Sequence, residues 1–364
     1  MRKTTDQLLL AALRTALWGN SLEVEAFAAL SAEEWTILYK QSAEQGVLAL
    51  VYDAIQSLPK EVQPPRGVRL QWAVNVERIE KRYAQQERAI AALASFCQEH
   101  NLPLMLLKGY GLSRNYPIPH HRPCGDIDIW LYGRQAEADR LLRDERGVRI
   151  DEDKHHHTVF TFEGVMVENH FDFLNVHAHR SNRVVEARLQ ELAGEGDEVI
   201  EVQGTQVCLP SPDFNALFLL RHAAAHFAAV EIGLRHVLDW ALFIHHYHDR
   251  IHWTALEEMA RAMNMHRFLY AMQGLAVDEL GVSSEKLPHF ERDEALQERV
   301  LQEILNPEFS APAPARNPLK IVWYRFRRWW ANRWKHRMVY SEGLFSTFWV
   351  QVWSHLLKPK SIIH

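Results

Sequence analysis

The chain has 364 residues, of which 47% are hydrophobic and 24% charged, as in a globular protein large enough for two or three domains. The formal net charge of −5 excludes a protein that coats nucleic acid over its whole surface, so any basic surface must be local. Three widely separated cysteines without a C-x-x-C pair exclude a disulfide framework and a cysteine zinc site, and a reducing cytoplasm is the expected location.

The first 100 residues are predicted to be helical. An N-terminal apolar run interrupted by Arg14 lacks a small-residue cleavage site, which indicates a helix and not a signal peptide. Ser31 and Glu34 have capping-box spacing, and residues 68–100 show one long helical periodicity. No stretch has the roughly twenty apolar residues that span a bilayer, so no transmembrane segment is expected.

Short strands are predicted from about residue 103. Apolar strands are expected at residues 104–107 and 126–131. The alternating segment around Glu163 and Gly164 predicts a hairpin with this pair as its two-residue turn, and a second hairpin follows over residues 199–209. These elements predict a small mixed β-sheet with short helices.

The chain is predicted to return to helices at Ser211, where Ser-Pro is typical of a helix start. The fold class expected is α/β (α+β), mostly helical overall. The predicted regions are an N-terminal helical region at 1–100, an α/β core at 101–210 and a C-terminal helical domain at 211–364.

A set of acidic residues marks the predicted core. Asp126 and Asp128 are two apart on a predicted strand, so they project from the same face, and paired carboxylates suit Mg²⁺. With the turn at Glu163-Gly164, Glu168 and His170 share a face and His157 lies opposite His170. A neighbouring strand then supplies the third carboxylate that two metal ions need, together with two histidines.

The order of these motifs resembles a known family. A Lys-Gly at Lys108, the loop R-x-x-x-D-I-D-I, the strand E-x-H-F and the helical R-H-x-x-x-H and L-R-H-x-L-D-W are similar to uncharacterised bacterial nucleotidyltransferase-like proteins of the polymerase-β-type superfamily. The resemblance covers roughly residues 104–240. It implies that Asp126, Asp128 and Glu168 form a catalytic triad that holds two Mg²⁺ ions on a nucleoside triphosphate such as ATP. The implied reaction transfers a nucleoside monophosphate to an unidentified acceptor hydroxyl or phosphate.

The sequence departs from better-known members of the superfamily before the aspartates, where Lys108 and Gly109 stand in place of Gly-Ser. Gly109 permits close approach of the backbone to phosphates, and Lys108 supplies a charge. Arg122 is a second candidate phosphate ligand. The missing serine also allows a catalytically degenerate protein that binds a nucleotide or a partner.

Further polar residues are candidates for acceptor binding or for supporting the ligands. On the strands His157 or His170 could serve, although a structural role for His170 is equally consistent, and His155 and His156 are expected to be solvated. On the helices Arg235 and Asp239 have the spacing of a helix ion pair. His222 and His226 have the spacing of a zinc pair, with no third ligand evident.

A basic, aromatic segment spans residues 319–338. Trp323, Phe326, Trp330 and Trp334 fall at helical spacing among basic residues, which is typical of a helix on an anionic membrane or a polyanion. The alternative, slightly favoured, is that the aromatic face packs on the preceding helices, since Trp349 and Trp353 predict a second helix that covers it.

Overall fold

A computed structural model describes residues 4–194, 198–229, 231–308 and 318–343. The described residues divide into a helical unit, residues 4–76 with 220–343, and a sheet unit, residues 77–219. The region boundaries near residues 100 and 210 stay predictions. Residues 311–317 and the helix expected at Trp349 and Trp353 lie outside the described part.

The helices follow closely the segments predicted from periodicity. In chain order they are α1 (Thr5–Trp18), α2 (Val24–Ala28), α3 (Ala32–Glu44), α4 (Leu48–Gln56), α5 (Arg66–Glu99), α6 (Gly109–Ser113), α7 (Gln135–Arg146), α8 (Arg180–Leu192), α9 (Pro212–Ala229), α10 (Leu234–Tyr247), α11 (Trp253–Ala262), α12 (His266–Asp278), α13 (Glu294–Leu305), α14 (Pro318–Ala331) and α15 (Arg333–Val339). The capping box predicted at Ser31 is confirmed, because its hydroxyl accepts from the Glu34 amide while the Glu34 carboxylate accepts from the Ser31 amide.

The strands form one mixed sheet. They are β1 (Met105–Leu107), β2 (Ile127–Trp130), β3 (His157–Phe162), β4 (Val165–His170), β5 (Glu198–Val202) and β6 (Thr205–Leu209), in the spatial order β3-β4-β2-β1-β6-β5. β1 is antiparallel to β2 and parallel to β6, while β2 is parallel to β4. The predicted fold class, a small mixed sheet in a largely helical chain, is confirmed.

The β3–β4 hairpin has the predicted turn and register. Glu163 and Gly164 have φ of 49° and 74°, the left-handed values that a two-residue hairpin turn needs. His157 pairs with His170 and Val159 with Glu168, as the alternation predicts. The hairpin therefore directs Glu168 and His170 to one face of β4.

The core of the sheet unit lies between α5 and the strands. Ile90, Leu93 and Phe96 of α5 are at most 1% exposed and belong to one buried cluster with Ile127 and Val167 of the central strands. Burial of each such side chain stabilises the fold by about 1.5–3 kcal/mol. This packing leaves the polar ends of the central strands to form a site.

The basic helix α14 has an exposed aromatic face. Trp323 is 61% exposed, Phe326 50% and Trp330 46%. Trp334 instead packs edge-on against Phe227, with ring centroids 5.6 Å apart. Within the described residues the first three side chains are therefore not packed on preceding helices, whereas the covering helix expected at Trp349 and Trp353 lies outside the described part.

Within the part of the chain that the structure describes, no helix combines the length and apolar character needed to cross a membrane.

Candidate active site

The site begins where β1 turns sharply into α6. Lys108 has φ 40° and ψ −139°, a conformation that side-chain-bearing residues rarely adopt, and Gly109 follows with φ 34°. A Cβ on Gly109 would lie 3.6 Å from the Asp126 carbonyl oxygen, which is an ordinary van der Waals contact. Glycine is therefore favoured at this position by the positive φ and not by a lack of space for a side chain. The turn places the Lys108 side chain against β2.

Asp128 is a buried carboxylate between the Lys108 ammonium and the His170 imidazole. Its side chain is 5% exposed, and its Oδ1 accepts from Lys108 Nζ at 2.9 Å and lies 3.1 Å from His170 Nε2. Burial alone would raise the pKa of Asp128, but Lys108 and His170 hold it well below its usual range. Burial would lower the pKa of Lys108, but the Asp128 carboxylate raises it. Asp128 is therefore ionised and Lys108 charged near neutral pH.

Glu168 stands beside Asp128 on the parallel neighbour β4, since the two residues are register partners. Burial, followed by repulsion from Asp128 and Asp126, raises the pKa of Glu168 to about 7. Asp126 is half-buried and directly precedes β2, where its carbonyl oxygen accepts from Gln86 Nε2 at 3.4 Å. The structure thus brings two of the three predicted carboxylates into register and places the third one residue before the strand.

Two histidines complete the polar face. His170 Nδ1 lies 3.1 Å from the Asp172 carbonyl oxygen, to which it donates, so Nε2 points at Asp128 and at Glu168 Oε2, 3.7 Å away. His157 Nε2 lies 3.6 Å from Glu168 Oε1. Burial and the charge of His170 lower the pKa of His157 to about 3, so this ring is neutral near pH 7.

The donor set of this face fits a divalent cation. Asp128, Glu168 and His170 each offer a ligand atom, and these atoms lie within 4.8 Å of one another. Carboxylate oxygens suit Mg²⁺, and an imidazole widens the range to Mn²⁺ and Zn²⁺. Asp126 is not a member of this group, although its charge acts on Glu168.

A buried network on the opposite face of β4 positions these ligands. Asp139 of α7 accepts from Asn169 Nδ2 at 2.8 Å and from Thr158 Oγ1 at 2.9 Å, and all three side chains are buried. Because Asn169 lies between Glu168 and His170, this network anchors the ligand strand to a helix. Sequence reasoning missed it, since only the alternation of β4 could indicate that Asn169 faces inward.

Arg122 lies buried in the loop before β2. It is 5% exposed, its Nη1 is 3.2 Å from Cys124 Sγ, and its guanidinium lies 5.9 Å from the Tyr116 ring centre. Its role as a phosphate ligand stays a prediction.

The other predicted polar residues belong to the helical unit. The His222 and His226 rings are 4.4 Å apart, with His236 6.4 Å and 6.2 Å from them. The Arg235 amide donates to the Gln45 carbonyl oxygen at 3.2 Å, and Asp239 is buried. His236 of α10 therefore lies beside the pair on α9, but these three rings are not among the described side-chain groups whose ligand atoms converge closely enough to hold a metal ion.

His156 differs from its sequence prediction. It was expected to be solvated, but it is half-buried, and its Nδ1 is buried without a hydrogen-bond partner. Burial, then the neighbouring His157, lowers its pKa to about 2. The reason is that β3 begins at His157, so the residue before it lies against the strand end next to His170, with ring centroids 5.6 Å apart.

Comparison with known proteins gives one family. Residues 31–281 match the family described as uncharacterised nucleotidyltransferase. No curated protein matches the chain significantly. A crystal structure of an antigenic nucleotidyltransferase-like protein from Paracoccidioides brasiliensis is similar over 44% of this chain and 76% of that chain, with 15% identity and a TM-score of 0.32.

Proposed function

We infer a function from the premise that the chain belongs to the uncharacterised nucleotidyltransferase family. We propose that it transfers a nucleoside monophosphate from a nucleoside triphosphate to an acceptor hydroxyl or phosphate with the help of Mg²⁺. The observation that carries the proposal is the register of Asp128 with Glu168 on adjacent parallel strands, beside an ammonium and an imidazole. Buried acidic groups in register are costly unless a cation offsets them.

The proposed roles follow from the geometry. Asp128, Glu168 and Asp126 would hold Mg²⁺, which when bound neutralises triphosphate charge and lowers the pKa of an acceptor hydroxyl. Lys108 keeps Asp128 ionised in the free protein and is placed to donate to a phosphate oxygen beside it. With a pKa of about 7, Glu168 can hold or release a proton near neutral pH.

The rival within the same fold is a protein that binds a nucleotide or a partner without catalysis. The Lys108–Asp128 ion pair supports it, because the ammonium neutralises the carboxylate that a metal would use. Transfer of label from an α-phosphate-labelled triphosphate to any acceptor separates the rivals, since a binding protein transfers none.

The first test is calorimetric titration of ATP, GTP, CTP and UTP with Mg²⁺. The titration compares wild type with the Asp126→Ala, Asp128→Ala double variant. The control is the Asp151→Ala, Asp153→Ala double variant, which changes a surface aspartate pair of equal spacing. Metal-dependent binding of one nucleotide, lost only in the first variant, is the expected result. If the wild type binds none of the four while folded, the proposal is wrong.

A second candidate function rests on α14. Its exposed Trp323, Phe326 and Trp330 lie among basic residues, and residues 319–338 contain no acidic side chain. The charge of this face is complementary to an anionic lipid surface, which we propose as its partner. A Trp323→Ala, Trp330→Ala double variant should no longer sediment with phosphatidylglycerol vesicles. The control is a Leu70→Ala, Val74→Ala double variant, which changes an exposed apolar pair on α5 and should sediment as wild type does. Failure of the wild type to sediment, or equal sedimentation with neutral vesicles, would refute this candidate.

The compartment proposed is a reducing cytoplasm. Cys97, Cys124 and Cys208 are present as thiols in the structure, and the first two are buried. When protein isolated without reductant is treated with a thiol-blocking reagent, three cysteines per chain should react, because all three are reduced.

A further inference from the structure

Three imidazoles meet at the end of the β3–β4 hairpin. His156, His157 and His170 each offer a ring nitrogen, and these nitrogens lie within 4.8 Å of one another. The ring centroids of His157 and His170 are 5.1 Å apart across the paired strands, and those of His156 and His157 are 4.3 Å apart. Strand pairing therefore holds two of the three rings in place.

The hydrogen bonding of these rings is incomplete. Nδ1 of His156 and Nδ1 of His157 are buried and have no hydrogen-bond partner, and His157 is only 7% exposed. Most buried polar atoms in proteins have a hydrogen-bond partner, and a bound ion is one of the groups that can satisfy those that lack one. Two such atoms on adjacent rings point to a ligand that accepts imidazole lone pairs.

His170 is already oriented as a metal ligand. Its Nδ1 donates to the Asp172 carbonyl oxygen, so Nε2 is the nitrogen that a metal ion would bind in place of the proton now directed at Asp128 Oδ1, 3.1 Å away. Glu168 Oε1 lies 3.6 Å from His157 Nε2, the ring nitrogen opposite Nδ1, where it can accept the Nε2 proton and support binding through Nδ1. Zinc-class ions bind three imidazoles tetrahedrally at about 2.0–2.1 Å with the fourth position open, so nitrogens as far apart as 4.8 Å need to approach one another by roughly 1.5 Å.

We propose that His156, His157 and His170 form a second cation site, rich in nitrogen, which binds a zinc-class divalent ion beside the carboxylates Asp128 and Glu168. Imidazole nitrogens select Zn²⁺, Co²⁺ or Ni²⁺ over Mg²⁺, which demands oxygen ligands. The site goes beyond the proposed nucleotidyl transfer, and its occupancy does not require a nucleotide.

The test is titration of the metal-free full chain with Co²⁺ in the presence of excess Mg²⁺, followed by visible absorption. The wild type should bind one equivalent with the intense bands of tetrahedral cobalt, and Zn²⁺ should displace it. His156→Ala, chosen because this residue is half-buried, removes a direct ligand and should weaken Co²⁺ binding by more than the roughly ten- to hundredfold that is typical of groups supporting a ligand. The matched control is His155→Ala, the neighbouring half-buried imidazole outside the trio, which should bind as the wild type does.

Two results would overturn the site. One is the absence of stoichiometric Co²⁺ binding to wild type under excess Mg²⁺. The other is equal binding by His156→Ala and wild type in folded protein, which circular dichroism checks, because this would show adventitious binding only. The nucleotide titration tests a separate proposal. Co²⁺ binding without nucleotide binding would refute only the proposed nucleotidyl transfer, and nucleotide binding without Co²⁺ binding would refute only this cation site.

Discussion

Lys108 and Asp128 form a buried ion pair in the candidate site. The ammonium donates at 2.9 Å to a carboxylate whose side chain is 5% exposed, so each group offsets the burial of the other. The backbone at Lys108 adopts a positive φ, a strain of about 1–3 kcal/mol that the surrounding structure must sustain. Such strain at a charged group suggests a constraint from function.

Lys108→Met should destabilise the protein and make it more responsive to Mg²⁺. Removal of one member of a buried ion pair costs on the order of 3 kcal/mol, and the uncompensated Asp128 then gains more from a bound cation. Urea unfolding with and without Mg²⁺ measures both effects. Lys81→Met, in an exposed pair with Glu77, should change stability by less than about 1 kcal/mol. A Lys108→Met protein as stable as wild type would contradict the prediction.

Glu168 should make stability depend on pH. Its pKa is raised from 4.5 to about 7, so its contribution is fully present below pH 4.5 and is lost as the pH rises through 7. Relative to Glu168→Gln, the unfolding free energy of wild type should therefore fall by on the order of 3 kcal/mol between these pH values. The same comparison with Glu201→Gln, an exposed glutamate of β5, should show no such fall. A parallel pH profile for wild type and Glu168→Gln would contradict the expectation.

Among elements, the β3–β4 hairpin shows what local sequence predicts. The Glu163-Gly164 turn determines the pairing of every residue along both strands, so its position implied that His157 lies opposite His170. The alternation of β4 then placed Glu168 and His170 on one face. The contacts of Asn169 depend on the packing of α7 against β4, which no local sequence pattern predicts. The burial of His156 depends on where β3 starts.

Asp139→Ala should weaken metal binding without touching a ligand. The change leaves Asn169 and Thr158 without their buried acceptor, at a cost of about 1–3 kcal/mol for each unsatisfied group. Amide exchange in β4 should accelerate, and Mg²⁺ affinity should fall because the ligand strand is no longer anchored. Asp144→Ala, an exposed change on the same helix, should leave both unchanged. Unaltered exchange in β4 would show that Asp139 does not position the site.

At the scale of the whole chain, the least predictable features are pairings between distant segments. Hairpins have a turn signature, but the parallel contacts of β2 with β4 and of β1 with β6 join strands separated by other elements. The division into two units is equally hidden, because α5 and α9 each continue across a boundary without a break in their helical periodicity. The strand positions of the carboxylates were predictable because β2 and the β3–β4 hairpin are short and local, but the register of Asp128 with Glu168 depends on the distant β2–β4 pairing.

The two units give a whole-chain prediction for nucleotide binding. A nucleotide with Mg²⁺ at about 100 times its Kd should stabilise the unit that binds it by about 2.7 kcal/mol and slow exchange through its unfolding about a hundredfold. The slowing is expected in β2 and β4, which carry Asp128 and Glu168, and not in the Asp126→Ala, Asp128→Ala variant. Amides of α1 and α3 in the helical unit serve as the reference within the same sample. The absence of slowing in β2 and β4 would contradict binding by the sheet unit, because a ligand that binds the folded unit must lower the population of its unfolded form.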